Sequence, residues 1–271
     1  MPELPEVEVC RCGIEPHVLN QNVSDVIVRN ANMRWPITQT ISDICAEKIT
    51  FVNRRAKYLL LGTSQGILML HLGMSGTIRV VNKDTPVKKH DHFDLVLENG
   101  LALRLNDPRR FGSVLWVTED INEHPLIKKL GPEPLSPDFT DNCLYKKSRN
   151  KTVPIKTFLM NNHIVVGVGN IYANESLFKA GIDPRVQAGK VSKKRYIELT
   201  RHIKQTLAKA IEQGGTTLKD FTQSDGKPGY FAQELLVYGR GEQLCYVCKE
   251  KLKEIKQAGR ATVFCPNCQS K

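Results

Sequence analysis

Hydrophobic and polar positions divide the chain into two regions. After the acidic opening residues, apolar positions recur at helical spacing, which predicts one amphipathic helix; they are Val7, Cys10, Ile14 and Val18. From about residue 23 to residue 117 the pattern changes to eight short apolar or alternating runs typical of strands. Asn99-Gly100 lies between two of these runs and is a strong hairpin signal. The pattern predicts an antiparallel sandwich or flattened barrel packed on the first helix.

The second half of the chain has a helical pattern. Residues 131–137, which contain three prolines, cannot continue a helix or a sheet and are interpreted as an interdomain linker. Helices are predicted at 157–162, at 171–179 and from a Ser192 cap to about residue 212. The apolar face of the last helix is predicted to contain Ile197, Ile203, Leu207 and Ile211. Helix pairs joined by a turned loop are common readers of the DNA backbone.

Composition narrows the class of partner. A formal net charge of +11 over 271 residues favours a polyanion, either nucleic acid or an anionic membrane. No basic amphipathic helix with an aromatic face stands out, so nucleic acid is preferred. The sequence has no apolar run long enough for a membrane span and no secretory signal pattern. We therefore expect a cytoplasmic protein whose eight cysteines stay reduced unless they hold a metal.

Four of the cysteines have the spacing of a metal site. Cys245 and Cys248 form one CxxC pair, and Cys265 and Cys268 form a second pair after sixteen intervening residues. This spacing predicts a tetrahedral zinc site of four thiolates, with a pair of redox dithiols as the alternative. Because all four positions are cysteine, the zinc is expected to be structural. The remaining cysteines are interpreted as free core or surface thiols: Cys10, Cys12, Cys45 and Cys143.

The first residues contain a possible nucleophile. Removal of Met1 would leave Pro2 as a secondary amine with an unperturbed pKa of roughly 7.7–8.0, so part of it is neutral and nucleophilic near neutral pH. Glu3 is a candidate general acid, and Glu6 lies one turn further on. Taken alone, this stretch is more typical of a helix start with proline and acids in its first turn.

Two basic segments accompany these features. The stretch between the zinc pairs has five basic residues against two acidic ones, and Arg260 is expected near the tip of a hairpin there. Such a ribbon suits a DNA groove, and Arg260 taken alone is interpreted as a phosphate contact. Residues 146–156 hold five basic residues and no acid, which is also typical of a solvated charged face.

Several motifs stand together in one order along the chain. They are PELPEVE at 2–8, RRAKYLLL at 54–61, HLGMSG at 71–76, KHDHFDL at 89–95, NDPRRFG at 106–112, VVGVGNIYANE at 165–175, TTLKDFTQSDGKPGYF at 216–231 and GRATVFCPNCQ at 259–269. Together they resemble the bacterial formamidopyrimidine-DNA glycosylase family. The resemblance extends from Pro2 to Gln269, nearly the whole chain.

The resemblance implies an α+β fold of two domains that binds damaged double-stranded DNA in the cleft between them, as a monomer. It divides the chain into an N-terminal β-sandwich domain (1–131), a linker (132–137), a helix–two-turn–helix domain (138–234) and a zinc hairpin (235–271). The implied activity is excision of oxidised purines such as 8-oxoguanine and formamidopyrimidines. A Schiff base on Pro2 and β,δ-elimination would then cleave the strand.

The resemblance also implies a role for individual residues. Pro2 would attack C1′, Glu3 would act as acid and base beside Glu6, Lys57 would assist at the lesion and in elimination, and Arg260 would act in the second elimination. The implied DNA-binding residues are His71, Met74, His90, Arg109, Phe111, Lys151, Lys156 and Asn170. Among these, Met74, Arg109 and Phe111 would form a wedge that fills the hole left by the flipped base. Residues 216–230 would form a loop over that base.

On the sequence alone, purely structural explanations of these residues remain open. Met74 and Phe111 are also typical core residues, Arg109 a typical surface ion-pair partner, and the glycines near Asn170 typical of helix packing. Two alternative functions also remain. One is a sister enzyme resembling endonuclease VIII, which removes oxidised pyrimidines, and the other is a non-catalytic zinc-finger DNA-binding protein with the same fold.

Overall fold

The computed structural model describes residues 2–216 and 234–270. These residues form two compact units, one containing 2–128 with 213–216 and the other 129–212 with 234–270. The zinc-hairpin segment therefore shares a unit with the helices. The finer division at 131, 137 and 234 stays a prediction.

The N-terminal unit consists of one helix and two sheets. Helix α1 spans Leu4–Val18. The eight strands are β1 Val23–Val28, β2 Phe51–Arg55, β3 Tyr58–Gly62, β4 Ile67–His71, β5 Thr77–Asn82, β6 Asp91–Leu97, β7 Leu101–Asn106 and β8 Ser113–Val117. One sheet has the order β1-β6-β7-β5 and the other β2-β3-β4-β8, with antiparallel pairing throughout. The predicted eight-stranded antiparallel architecture is confirmed.

The core of this unit lies between the sheets and α1. Buried residues of α1, such as Val7 and Ile14, join residues of both sheets in one hydrophobic cluster. The predicted hairpin at Asn99-Gly100 connects β6 to β7, and Gly100 has a φ of +81°, which a residue with a side chain rarely adopts. Strand β2 pairs with β3 over its whole length, from Phe51 opposite Gly62 to Arg55 opposite Tyr58.

Two loops of this unit cross between the sheets at one edge. The β4–β5 loop (72–76) leaves the second sheet and enters the first, and the β7–β8 loop (107–112) makes the return crossing. Because β4 pairs with β8 and β5 pairs with β7, the two loops run side by side.

The C-terminal unit contains four helices and one hairpin. They are α2 Asp141–Ser148, α3 Ile155–Leu159, α4 Asn170–Lys179, α5 Lys193–Glu212, β9 Lys253–Gln257 and β10 Arg260–Phe264. The predicted helices correspond to α3, α4 and α5. The sequence reading missed α2, although Thr140 caps it by accepting a hydrogen bond from the Cys143 N–H at 3.2 Å. No helix among the described residues is long and apolar enough to cross a membrane.

The predicted apolar face of α5 needs one correction. Ile203 and Leu207 are fully buried, but Ile197 is 46% exposed, and Ile211 is only half-buried. The buried stripe is instead Tyr196, Leu199, Thr200, Ile203, Thr206, Leu207 and Ala210. This stripe contains polar residues, so a search for aliphatic side chains alone placed Ile197 on the wrong face.

Candidate active site and nucleic-acid interface

The start of α1 holds the proposed nucleophile and acid in a fixed setting. Pro2 and Glu3 are buried, and Glu3 caps the helix in an extended conformation. Glu6 is 1% exposed, and its carboxylate accepts the Glu3 N–H at 2.8 Å. The same carboxylate accepts the N–H and hydroxyl of Thr216 at 2.9 and 2.8 Å. These contacts give Glu6 a positioning role that fixes Glu3 and Thr216.

Lys57 lies in the tight turn between β2 and β3. The preceding residue, Ala56, has a φ of +54°, so the turn presents Lys57 through a backbone conformation that is unusual for alanine. Arg54 donates to the Ala56 carbonyl at 2.8 Å and to Glu8 of α1 at 2.7 Å. Burial acts to raise the pKa of Glu8, but hydrogen bonds from Arg11 and Arg54 outweigh it and lower that pKa. The turn that carries Lys57 is thus tied to the helix that carries Glu3.

His71 lies beside this turn. Its ring contacts Tyr58 with a centroid separation of 4.9 Å, and its Nδ1 accepts the Gly73 N–H at 2.9 Å. Burial, together with the positive charges of Lys57 and Arg34, lowers the pKa of His71 to about 4. At neutral pH the ring is therefore neutral and, since Nδ1 is an acceptor, carries its proton on Nε2.

The three predicted wedge residues lie on the two crossing loops. Met74, on the β4–β5 loop, is half-buried, whereas Arg109 and Phe111, on the β7–β8 loop, are exposed. Phe111 is 40% exposed, which excludes simple core burial, and the Arg109 guanidinium lies 4.7 Å from its ring centroid. Among the described residues Arg109 has no carboxylate partner. A cleft of about 620 Å³ opens here; it is lined by Asn32, Met33, Arg34, Arg109, Arg110 and Phe111.

His90 precedes β6 in a strained conformation. Its φ is +73°, and its carbonyl accepts the Asp107 N–H at 3.0 Å. Its ring lies edge-on to that of His92, with 6.0 Å between centroids. The strain is consistent with a residue held for function.

The predicted phosphate contacts of the C-terminal unit lie on α3, α4 and the segment before α3. Lys151 is exposed. Asn170 is the first residue of α4, where helix N–H groups point outward and favour anions. Within the part of the chain that the structure describes, its buried Oδ1 has no hydrogen-bond partner. Gly169 caps this helix in an extended conformation. The geometry suits a phosphate at the start of α4.

Lys156 occupies a different environment from the one expected of a phosphate contact. It is 1% exposed, and its Nζ donates to the Ala261 carbonyl and the Thr262 hydroxyl, each at 2.7 Å. Lys156 thus fastens α3 to strand β10, directly after Arg260. These contacts connect α3 to the hairpin, and the phosphate contact predicted for Lys156 stays a prediction.

Arg260 is exposed at the end of the β9–β10 hairpin, as expected. The turn consists of Ala258 and Gly259, with φ values of +47° and +72°, which is the backbone pattern of a two-residue turn that matches strand twist. The predicted interface residues thus fall in two places: Arg260, Lys151, Lys156 and Asn170 belong to the C-terminal unit, and the other predicted site residues belong to the N-terminal unit.

The four paired cysteines converge on one point. Their sulfur atoms all lie within 4.8 Å of one another, with Cys248 and Cys265 at 3.4 Å and Cys245 and Cys268 at 3.9 Å. A tetrahedral zinc with Zn–S bonds of about 2.3 Å needs sulfurs roughly 3.8 Å apart, so the residues fit the metal. The other four cysteines lie outside this cluster, and burial raises the pKa of the Cys10 thiol to about 12.

Two polar residues of α4 connect it to the zinc-hairpin segment, and sequence reasoning missed both. The buried Glu175 carboxylate accepts three backbone N–H groups, those of Leu236, Val237 and Tyr238, each at 2.9 Å. Asn174 accepts the Val263 N–H at 2.9 Å. Both lie inside the motif at 165–175, but the sequence of that motif does not identify hydrogen-bond partners that lie about 60 to 90 residues later in the chain.

Of the predicted loop over the flipped base, only Thr216 belongs to the described residues, and 217–230 lie outside them.

Comparisons with known proteins agree with this architecture. Residues 1–114 match the formamidopyrimidine-DNA glycosylase N-terminal domain, residues 130–222 match the H2TH domain of the same enzyme, and residues 242–271 match a zinc finger found in FPG and IleRS. A formamidopyrimidine-DNA glycosylase of Colwellia psychrerythraea is 62% identical over 99% of both chains. The zinc finger match and the sulfur cluster confirm one structural zinc held by four cysteines.

Solved structures of a more distant relative have the same fold. The Lactococcus lactis Fpg (MutM) in complex with DNA containing Fapy-dG is similar with a TM-score of 0.91 and 32% identity, covering 99% of this chain and 100% of that one. Its complex with DNA containing an abasic site has a TM-score of 0.92 and 33% identity, with the same coverage. These matches, the sulfur cluster and the order of the motifs lead to one assignment: the chain belongs to the formamidopyrimidine-DNA glycosylase family.

Proposed function

We propose that this protein excises oxidised purines from duplex DNA and cleaves the strand at the resulting abasic site, with Pro2 as the nucleophile. The family assignment supports the activity, as do complexes of the Lactococcus lactis relative with Fapy-dG and abasic-site DNA. The observation that carries the residue assignment is the buried start of α1. There Glu6 holds the backbone of Glu3 beside Pro2, so an amine and a carboxyl group are presented together.

The first step uses the free amine of Pro2 after removal of Met1. Its nitrogen attacks C1′ of the damaged nucleotide and loses its N–H proton, while the bond from C1′ to the base breaks and the base takes up a proton. Cleavage of the C1′–O4′ bond, with protonation of O4′, then opens the sugar and leaves a cationic iminium on the proline. Because proline is a secondary amine, this cation needs no further protonation and acts as an electron sink. The Glu3 carboxyl group donates and accepts protons during sugar opening and base loss.

The elimination steps need groups that carry positive charge near phosphate. Lys57 is presented by the turn that Arg54 ties to Glu8, and it assists at the lesion and in the first elimination. Arg260, at the tip of the hairpin, assists in the second. Zinc takes no part in these steps; it holds the fold from which Arg260 extends.

Binding requires the damaged nucleotide to leave the base stack, at a cost of a few kcal/mol. Met74 and Phe111 replace lost stacking, and Arg109 hydrogen-bonds the orphaned base. Exposure of Arg109 and Phe111, stacked on each other beside a cleft, supports this role. His71, as a neutral Nε2–H donor, is assigned to the DNA backbone with His90, Lys151 and Asn170.

We propose that the protein acts as a monomer on chromosomal DNA in the bacterial cytoplasm. Bacterial relatives of full-length similarity support the setting, and the net charge of +11 supports the partner.

Borohydride trapping on an 8-oxoguanine:C duplex, followed by mass mapping, tests the nucleophile. We expect one adduct, on Pro2, because reduction makes the iminium bond permanent. Pro2→Gly should slow trapping strongly, and Lys57→Met should leave trapping but slow strand cleavage. Lys48→Met, which removes an exposed lysine before β2, is the matched control and should match wild type.

Three results would change the proposal. An adduct on Lys57 would move the nucleophile. No adduct, with a free proline confirmed at the N-terminus, would favour the non-catalytic DNA-binding protein. Faster excision from thymine-glycol:A than from 8-oxoguanine:C would favour the endonuclease VIII-like enzyme.

A further inference from the structure

We propose that Asp107 is a positioning residue that locks the β4–β5 and β7–β8 loops into one rigid support for the base-flipping wedge. The inference rests on the wedge roles proposed above for Met74, Arg109 and Phe111. Among the described residues the Asp107 carboxylate makes no hydrogen bond to those three side chains, and it would act through the backbone that carries them.

The Asp107 carboxylate bridges the two loops directly. It is fully buried (0% exposed). Its Oδ1 accepts the hydroxyl of Ser75, the residue after Met74, at 3.0 Å, and the backbone N–H of Arg109 at 3.3 Å. Its Oδ2 accepts the backbone N–H of Gly112, the residue after Phe111, at 2.8 Å. The carboxylate thus bonds the residue after Met74, the backbone of Arg109 itself and the residue after Phe111.

The backbone of Asp107 extends the connection to the predicted DNA contact His90. Its N–H donates to the His90 carbonyl, and its carbonyl accepts Nε2–H of His92, both at 3.0 Å. The Arg110 N–H also donates to the Asp107 carbonyl, at 3.2 Å. Six hydrogen bonds therefore converge on Asp107, from three separate parts of the sequence.

The loops approach each other more closely than side chains would permit. A Cβ on Gly73 would lie 2.5 Å from the Gly112 nitrogen, and a Cβ on Gly112 would lie 2.6 Å from the His71 carbonyl oxygen. Between the wedge residues, Arg110 has a φ of +56°, a strained value for a residue with a side chain. Such close backbone contacts and a strained φ persist only where hydrogen bonds from the surrounding residues hold the loops in place. Asp107 accepts such hydrogen bonds from both loops.

The chemistry of the site separates Asp107 from a general stabilising ion pair. No lysine or arginine forms an ion pair with its carboxylate among the described residues, and all three of its donors are neutral. Asp94, equally buried in the adjacent strand β6, instead pairs with Arg29 and Arg104. A buried carboxylate without a cation is costly unless several donors are fixed around it. Here the donors belong to the two loops themselves. The free energy spent on burying the carboxylate therefore holds the wedge loops in one arrangement before DNA binds.

Two substrates distinguish positioning from general stability. Excision from an 8-oxoguanine:C duplex requires base flipping, whereas strand cleavage of a single-stranded oligonucleotide with an abasic site requires none. We expect Asp107→Asn to lower kcat/KM on the duplex by roughly 10–100-fold, the size of effect expected from a misplacement of about 1 Å. Its rate on the single-stranded abasic substrate should stay within about 2-fold of wild type. Ser75→Ala, which removes only the link to the Met74 loop, should act in the same direction with a smaller effect.

Asp94→Asn is the matched control, since it changes an equally buried carboxylate that accepts from Arg29 and Arg104 and, among the described residues, makes no hydrogen bond to either loop. We expect it to lower thermal stability and leave the ratio of the two rates unchanged. If Asp107→Asn and Ser75→Ala lower both rates equally, as a merely structural change does, the positioning role is wrong.

Met74→Ala makes the failure of this inference distinguishable from failure of the wedge itself. If Met74→Ala slows duplex excision while Ser75→Ala and Asp107→Asn do not, the wedge stands and the role of Asp107 is refuted. If Met74→Ala has no effect, the wedge assignment is wrong and the role of Asp107 falls with it. Should Asp107→Asn fail to fold, the Ser75→Ala ratio decides alone, because Ser75→Ala removes only one hydroxyl and changes no charge.

Discussion

The substitution Lys156→Met tests whether Lys156 holds the β9–β10 hairpin in place or binds a DNA phosphate. The Lys156 Nζ donates to the Ala261 carbonyl and the Thr262 hydroxyl at 2.7 Å each, in a position that is 1% exposed. Methionine fills most of the volume of the lysine side chain, so the main change is the loss of the ammonium group that donates both hydrogen bonds. Each buried acceptor left without a partner costs about 1–3 kcal/mol. Part of this cost is offset because an ammonium group no longer has to be buried.

The resulting loss of stability is about 2–4 kcal/mol, confined to the C-terminal unit. Chemical denaturation of the zinc-loaded protein measures it, and the rate of zinc release under a chelator reports on the hairpin itself. Because Arg260 begins the strand that Lys156 holds, the second elimination should slow more than the first. The products of single elimination should therefore accumulate relative to those of double elimination.

The salt dependence of DNA binding supplies the contrasting measurement. A lysine that contacts phosphate releases counterions, so its loss lowers the slope of log K against log salt by about 0.9. Lys151, which is exposed, is the matched control, and Lys151→Met should show that decrease without loss of stability. Lys156→Met should show less than half of it. A full decrease in slope for Lys156→Met, with stability unchanged, would refute the positioning role and restore the phosphate contact.

Three further predictions follow from other parts of the structure. Chelation of zinc should unfold the hairpin and abolish DNA binding while the N-terminal unit stays folded, as measured by limited proteolysis and gel shift; an apo protein that binds DNA at full strength would contradict it. The pKa of His71 is lowered from 6.5 to about 4, so the unfolded chain binds the extra proton and the native state loses stability as pH falls through this window. The difference in unfolding free energy between wild type and His71→Gln should therefore shrink from pH 7 to pH 4, and a constant difference would exclude this cause. Gly259→Ala should destabilise the hairpin by about 1–2 kcal/mol through the strained φ of +72°, since no atom lies within 4 Å of the added Cβ, and an unchanged melting temperature would count against it.

Local features of the candidate site were predictable because their signals are local. Two CxxC pairs bring sulfurs together through short turns, so Cys245, Cys248, Cys265 and Cys268 could be assigned from spacing alone. The position of Arg260 near a hairpin tip follows in the same way, because Gly259 readily adopts the positive φ that the turn requires.

The role of Lys156 could not be predicted in this way. Its basic neighbours in 146–156 indicate a charged surface, and Lys146 and Lys151 are indeed exposed. Lys156 differs because it is the second residue of α3, on the side that meets β10, more than one hundred residues later. Asp107 is similar: its motif marks it as a member of the family pattern, but not as the bridge to Ser75.

The sequence by itself determined the alternation that builds two antiparallel sheets, the helix starts and stops, the zinc ligands and the family. Each of these depends on a period, a backbone preference or a spacing within a few residues. The tertiary structure alone decided which polar side chains are buried and what they hold: Glu6 to Thr216, Lys156 to Thr262, and Asp107 to the two crossing loops. The physical reason is that a buried polar group must find a partner, and its partner is whichever backbone the fold brings beside it. The separation of two residues along the chain does not indicate which of them become partners. These contacts are therefore seen only in the packed arrangement of the sheets and helices.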